Sequence, residues 1–191
     1  MPLLTLTGDP TADELLSDNP FALLVGMLLD QQIAMELAFL GPSRLAERLD
    51  GPLDAAAVAG TDLDVLEAMF REKPALHRYP GAMAKRVHAL AGHLVDEYGG
   101  DAAAVWQGAT DGQDLKRRLG GLPGFGDQKA RIFVALLGKQ CGVEPDGWRE
   151  AAGDYGLDGY RSIADVTDAA ALEAVREFKQ ARKASAASAT S

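Results

Sequence analysis

The chain has 191 residues, enough for one compact body or two small lobes with real cores. It is 47% hydrophobic and 25% charged, and no apolar run approaches the length of a membrane span. The lone cysteine, Cys141, excludes an internal disulfide, a cysteine zinc cluster and an iron–sulfur site.

The N-terminus lacks a charged-then-apolar signal pattern, so the expectation is a soluble, intracellular chain. The formal net charge of −9 argues mildly against non-specific nucleic-acid binding. Basic residues nonetheless gather between Arg71 and Lys139, whereas acidic ones concentrate in the first 20 positions, between Asp50 and Asp64, and beyond Glu144. A basic face on an acidic protein and an ordinary solvated helix surface both fit that pattern.

Taken in chain order, almost every periodic segment predicts helix. Asn19-Pro20 is a start signal, with Asn as cap and Pro at the first helical position. Phe21, Leu24, Val25, Leu28 and Leu29 then follow helical spacing. A second helix is expected over 32–40, stopping at Gly41-Pro42. Short helices follow at 43–49, 54–59 and 62–71, and a long one at 81–98 ends at Gly99-Gly100. Helices at 113–119 and 128–137 flank a glycine turn, and a last one covers 168–182. Residues 184–191 form a Ser/Ala tail expected to be disordered. No alternating strand of useful length occurs, so the class is all-α.

The glycine turn is Leu122-Pro123-Gly124-Phe125-Gly126. Two glycines around one apolar residue, just before a helix, bring backbone N–H groups together where they favour an anion such as a nucleic-acid phosphate. A helix C-cap followed by a plain turn has the same composition. Downstream, Asp146 precedes Gly147-Trp148-Arg149-Glu150, where a carboxylate caps a helix or does chemistry on whatever backbone the turn holds. Glu144 is the second candidate.

Leu122 to Gly126 resembles the hairpin of the helix–hairpin–helix (HhH-GPD) DNA glycosylases, the group of endonuclease III and the 3-methyladenine glycosylases. Three further segments agree in order. Leu28-Leu29-Asp30-Gln31-Gln32 resembles the helix end that carries a glutamine into DNA. Tyr79 to Leu94, with Ala84-Lys85-Arg86, resembles the helix after the strand-wedging loop. Asp146 falls at the catalytic aspartate. The resemblance covers about Asn19 to Arg149 and implies two helical subdomains with the active-site cleft between them. These are residues 20–137, with the helix–hairpin–helix at about 113–137, and residues 1–19 plus 138–183 carrying Asp146.

The resemblance implies a base excision repair enzyme. Such an enzyme extrudes a damaged or mismatched nucleotide from double-stranded DNA into a pocket. It implies phosphate contact by Gly124, Gly126 and Lys129, a plug at Gln31 or Gln32, and a wedge in Leu76-His77-Arg78-Tyr79. Tyr79 fits a helix-anchoring core residue equally well, and His77 is expected at the surface. Asp146 would stabilise the oxocarbenium ion and activate water. A monovalent cation, Na+ or K+, would sit on the carbonyls of Gly120, Leu122 and Phe125. The implied setting is a bacterial cytoplasmic, nucleoid-associated monomer with no membrane partner.

The chain departs from that pattern at Gln128, which stands where lyase members carry their nucleophilic lysine. Lys129 is one residue later, about 100° around a helix, and is expected to point away from the pocket toward a phosphate. The reading is therefore a monofunctional glycosylase without an iron–sulfur cluster. Its alternatives are an inactive binder of distorted DNA, a glycosylase/lyase using Lys129, and a helical protein unrelated to DNA. Trp148, Phe133 and Trp106 are aromatic candidates for the base pocket.

Overall fold

A computed structural model describes residues 3–188. Among them the chain is all-helical, in this order: α1 Pro10–Asp18, α2 Pro20–Leu29, α3 Met35–Ala46, α4 Ala55–Gly60, α5 Leu63–Arg71, α6 Pro80–Tyr98, α7 Ala104–Gln107, α8 Gly112–Gly120, α9 Asp127–Gln140, α10 Trp148–Ala152 and α11 Ala169–Ser188. Two short 3₁₀ turns, Gly153–Gly156 and Ile163–Asp165, join α10 to α11. No described helix is long and apolar enough to cross a membrane.

Aspartate and asparagine side chains set most starts. Asn19 accepts the Ala22 amide at 3.0 Å with Pro20 behind it, and Asp9, Asp54, Asp62 and Asp111 cap α1, α4, α5 and α8 likewise. Each cap satisfies amides that a helix end leaves without partners, worth about 1 kcal/mol. α2 is buried along nearly its whole length and packs on α1, α3 and α6. Its approach to α3 depends on small residues. A Cβ on Gly26 would stand 2.6 Å from the Phe39 ring, and one on Gly41 would stand 2.6 Å from Leu29.

That packing explains two departures from the expected boundaries. Gln32 has a φ of +58°, a left-handed conformation that cannot begin a helix, so α3 starts at Met35. α3 then continues through Gly41 and Pro42 to Ala46, because burial against α2 outweighs the hydrogen bond that proline forgoes. At the far end α11 runs to Ser188 where a disordered tail was expected from 184, since alanine is the strongest helix former. Residues 189–191 of that tail lie outside the described residues.

One continuous apolar core threads the molecule, from Leu4 and Leu6 to Val175. Around it α4 and α5 pack on α6, while α9 packs on α8, α10 and both 3₁₀ turns. The hairpin helices thus side with the C-terminal elements, and a division at residue 137 cuts through that packed group. The N-terminal elements meet them where Arg176 of α11 pairs with Glu36 of α3, and again where the end of α2 touches the start of α9.

Candidate nucleic-acid interface

Four loops converge at that junction. A Cβ on Gly124, whose φ is +82°, would lie 2.3 Å from Leu28 Cδ1, so the hairpin rests directly on the last turn of α2. Lys129, in the first turn of α9, donates from Nζ to the carbonyls of Met27, Leu28 (3.0 Å) and Asp30 (3.1 Å). These are carbonyls that α2 leaves without partners at its C-terminus, where a cation also meets the negative end of the helix dipole. Burial nevertheless pushes the Lys129 ammonium down to about 8, against the opposing pull of Asp30.

The same loop is held from the other side. His77 is buried, not at the surface as expected. Its Nδ1 accepts the Tyr79 amide at 3.0 Å, which leaves Nε2 to donate to the Gln31 carbonyl at 2.9 Å. Burial lowers the His77 pKa, in keeping with that neutral tautomer. The Gln31 side chain donates to the Leu28 carbonyl at 2.8 Å and accepts from Arg86 Nη1 at 2.7 Å. Gln31 is therefore tied into the fold. Gln32 is exposed, held in a left-handed conformation, and has no hydrogen-bond partner among the described residues. Of the two glutamines in the motif, the backbone leaves one facing solvent. Gln32 is the one presented outward.

Tyr79 caps the start of α6 and is 43% exposed, with the Arg78 guanidinium 5.4 Å from its ring centroid. It is not a core anchor. In the hairpin, Gly126 has open space around it, and Leu122 and Phe125 are buried beneath the turn. The Leu122 carbonyl accepts the Phe125 amide at 3.0 Å, whereas those of Gly120 and Phe125 accept no hydrogen bond among the described residues. No group of three or more His, Cys, Asp or Glu side chains converges on a metal site among the described residues.

Beside this face lies a cleft of about 480 Å³, a size that suits a nucleotide. It is walled by Met27, Asp30, Gln32 and Ile33 on one side and by Gln128, Lys129 and Ile132 of α9 on the other. Tyr155, Arg161, Lys179 and Arg182 complete it. Gln128 Nε2 lies 3.0 Å from the Tyr155 hydroxyl. The expectation that Lys129 points away is corrected. The cleft wraps the first turn of α9, so Gln128 and Lys129 both reach it. Its ammonium meets protein carbonyls instead of an open phosphate position.

Asp146 lies elsewhere. Its carbonyl accepts the Gly112 amide at 2.8 Å, and a Cβ on Gly112 would meet Gly147 and Trp148 at 2.5 Å. That pins it to the start of α8 and beyond the end of α9, whereas the hairpin joins the opposite ends of these helices. Their lengths separate Asp146 from the hairpin by on the order of 12–20 Å. Nor does Asp146 cap α10, whose N-cap is Gly147.

A second concavity, about 550 Å³, adjoins that end and is lined by Ser17, Asp18, Trp106, Cys141, Glu144 and Pro145. Its charged side chains are acidic, which suits a phosphate chain poorly. The aromatic candidates are core residues: Trp148 covers Gly138, and the Trp106 and Phe133 rings lie 5.9 Å apart.

Compared with known proteins, the chain matches no family model, no curated protein and no solved structure.

The cleft residues missed in the sequence are Asp30, Tyr155, Arg161, Lys179 and Arg182. Only Asp30 was within a quoted motif. The others come from segments whose convergence no local pattern signals. Asp30 is the one carboxylate on the cleft wall, with Oδ2 3.8 Å from Lys179 Nζ.

Proposed function

We propose that this chain is a DNA-binding protein of the base-excision type, which grips duplex DNA with the hairpin and receives an extruded damaged nucleotide in the cleft beside it. The observation that carries this reading is the gathering of Gly124–Gly126, Gln32, Tyr79, Arg86 and the cationic cleft on one face of an acidic protein. Extrusion requires a hold on the backbone, a plug for the vacated stack and a wedge against the partner strand. The hairpin, Gln32 and Tyr79 supply these in adjacent loops.

The reaction that suits the cleft is hydrolysis of the N-glycosidic bond. Water bonds to C1′, the bond to the base breaks, and the base leaves with a proton derived from that water. Positive charge develops on the sugar and is stabilised by a carboxylate. We assign that part to Asp30, which lines the cleft, because Asp146 lies at the far end of α9. Covalent attack by Lys129 is disfavoured because all three of its N–H bonds go to protein carbonyls.

A second reading, recognition of distorted DNA without cleavage, is favoured by the remoteness of Asp146. Mass spectrometry of bases released from duplexes carrying alkylated, deaminated or oxidised bases separates the two. Release of one class supports hydrolysis. Tight binding of lesions without release supports recognition alone. Absence of salt-dependent duplex binding refutes both.

A further inference from the structure

Arg161, Lys179 and Arg182 lie outside the segment that resembles the glycosylases, yet all three line the cleft. Lys179 and Arg182 are three residues apart on α11 and share one face of it. Phe178 organises the group. The Arg161 guanidinium lies 5.8 Å from its ring centroid and that of Arg182 lies 5.9 Å away. A guanidinium held over an aromatic ring keeps its N–H edges available for a planar acceptor.

About half of the basic side chains are tied to carboxylates, Lys179 among them through Asp30. Arg71, Lys85, Lys116, Arg117, Arg118, Arg131, Lys139, Arg149 and Arg176 each pair with a carboxylate. Arg161 and Arg182 have no carboxylate within 4 Å among the described residues, although Arg161 Nε donates to the Asp158 carbonyl at 3.4 Å, and Lys179 pairs with the cleft's own Asp30 at 3.8 Å. With Lys129, the cleft wall carries four cations against one anion, on a chain with 28 acidic and 19 basic residues. A cleft lined with one sign of charge concentrates its field on a ligand of the other sign. The ligand this suits is a phosphodiester, which an arginine fork engages through two parallel hydrogen bonds.

We propose that α11 is a phosphate clamp, in which Arg161 and Arg182, assisted by Lys179, hold the DNA phosphodiesters that flank the nucleotide in the cleft. This rests on the reading that the cleft receives a DNA nucleotide. It gives α11, an element with no counterpart in the quoted motifs, a direct part in binding.

The test uses the full chain and a duplex with a central tetrahydrofuran abasic analogue, titrated between 50 and 200 mM KCl. Each phosphate contact contributes about 0.9 to the slope of log affinity against log salt. The double variant Arg161→Ala/Arg182→Ala should lose roughly 1.8 of that slope and bind at least about tenfold more weakly at 100 mM. Arg161→Lys/Arg182→Lys should recover much of the slope, since charge is kept. An unchanged urea midpoint excludes misfolding as the cause. Wild-type slope and affinity in the alanine variant overturn the clamp while leaving the DNA reading intact. A wild-type chain with no salt-dependent affinity overturns the DNA reading itself.

Discussion

The two hairpin glycines should respond oppositely to a single added methyl. Gly124 has a φ of +82°, and its added Cβ would sit 2.3 Å from Leu28 Cδ1, beneath which the core is closed. Holding an alanine left-handed costs about 1 kcal/mol. Displacing a packed leucine costs about 1–3 kcal/mol more. Gly124→Ala should therefore lose about 2–4 kcal/mol, or roughly 4–15 °C in Tm for a chain of this size. Gly126 has a φ of −88° and nothing within 4 Å of an added Cβ. Gly126→Ala should stay within about 0.5 kcal/mol of wild type, because its reduced unfolded-state entropy offsets a slightly poorer N-cap. Its methyl would stand where a phosphate must approach the backbone, so duplex affinity should drop while stability holds. Urea unfolding and fluorescence anisotropy with a labelled duplex measure the two effects. Equal stabilities for the two variants refute the packing argument, and full affinity in Gly126→Ala refutes the hairpin's role as a backbone contact.

The two glutamines should likewise separate. Gln31→Ala should destabilise the fold by about 1–2 kcal/mol by removing the bonds that its amide makes to the Leu28 carbonyl and to Arg86, whereas Gln32→Gly should stabilise it by about 0.5–1 kcal/mol by relieving the positive φ while reducing preference for a lesion duplex. Lys129 titrates near 8 when folded and near 10.4 when unfolded, so above pH 8 the unfolded chain binds the extra proton and stability should rise with pH, by about 1 kcal/mol between pH 8 and 9. From about pH 8.5 the Cys141 thiol, pushed up to about 11 by burial, acts in the opposite direction and trims that rise equally in wild type and in a Lys129 variant. Urea unfolding at pH 8 and 9 should show the rise in wild type and not in Lys129→Met, and a rise in both would contradict it. Asp30→Asn should cut base release by at least about 100-fold with duplex binding retained, whereas Asp146→Asn should leave release unchanged. The reverse result would return the chemistry to Asp146.

Local signals were legible wherever a short stretch of chain decides its own conformation. Asn19-Pro20 caps a helix in the sequence and in the fold, and Gly124 and Gly126 lie in the tight turn expected of them. Pro42 misled because a stop signal acts only when packing does not oppose it, and α3 gains more from lying on α2 than it loses at the proline. His77 read as a surface residue because its two partners, the Gln31 carbonyl and its own loop amide, are invisible to composition. Lys129 read as turned away because helical phase fixes an angle about an axis but not where neighbouring elements lie. The largest gap is the cleft. Asp30, Lys129, Tyr155, Arg161 and Lys179 come from five separate segments, and their meeting is a property of tertiary packing. The spacing of Asp146 after the hairpin was a one-dimensional clue. The contact of Gly112 with Asp146 and Trp148 turns that segment toward the start of α8 instead of back to the hairpin.

Amide chemical shifts of the 15N-labelled chain, recorded while a lesion-bearing duplex is added at low salt, test the central claim most directly. The perturbed amides should be those of Gly124 to Gly126, Gln31 to Ile33, Arg78 to Tyr79, Lys129 and the 179–182 stretch of α11. Those of Gly112, Asp146 and Trp148 should stay where they are. Shifts confined to the Asp146 end, or none that depend on salt, would contradict the assignment of this face to DNA.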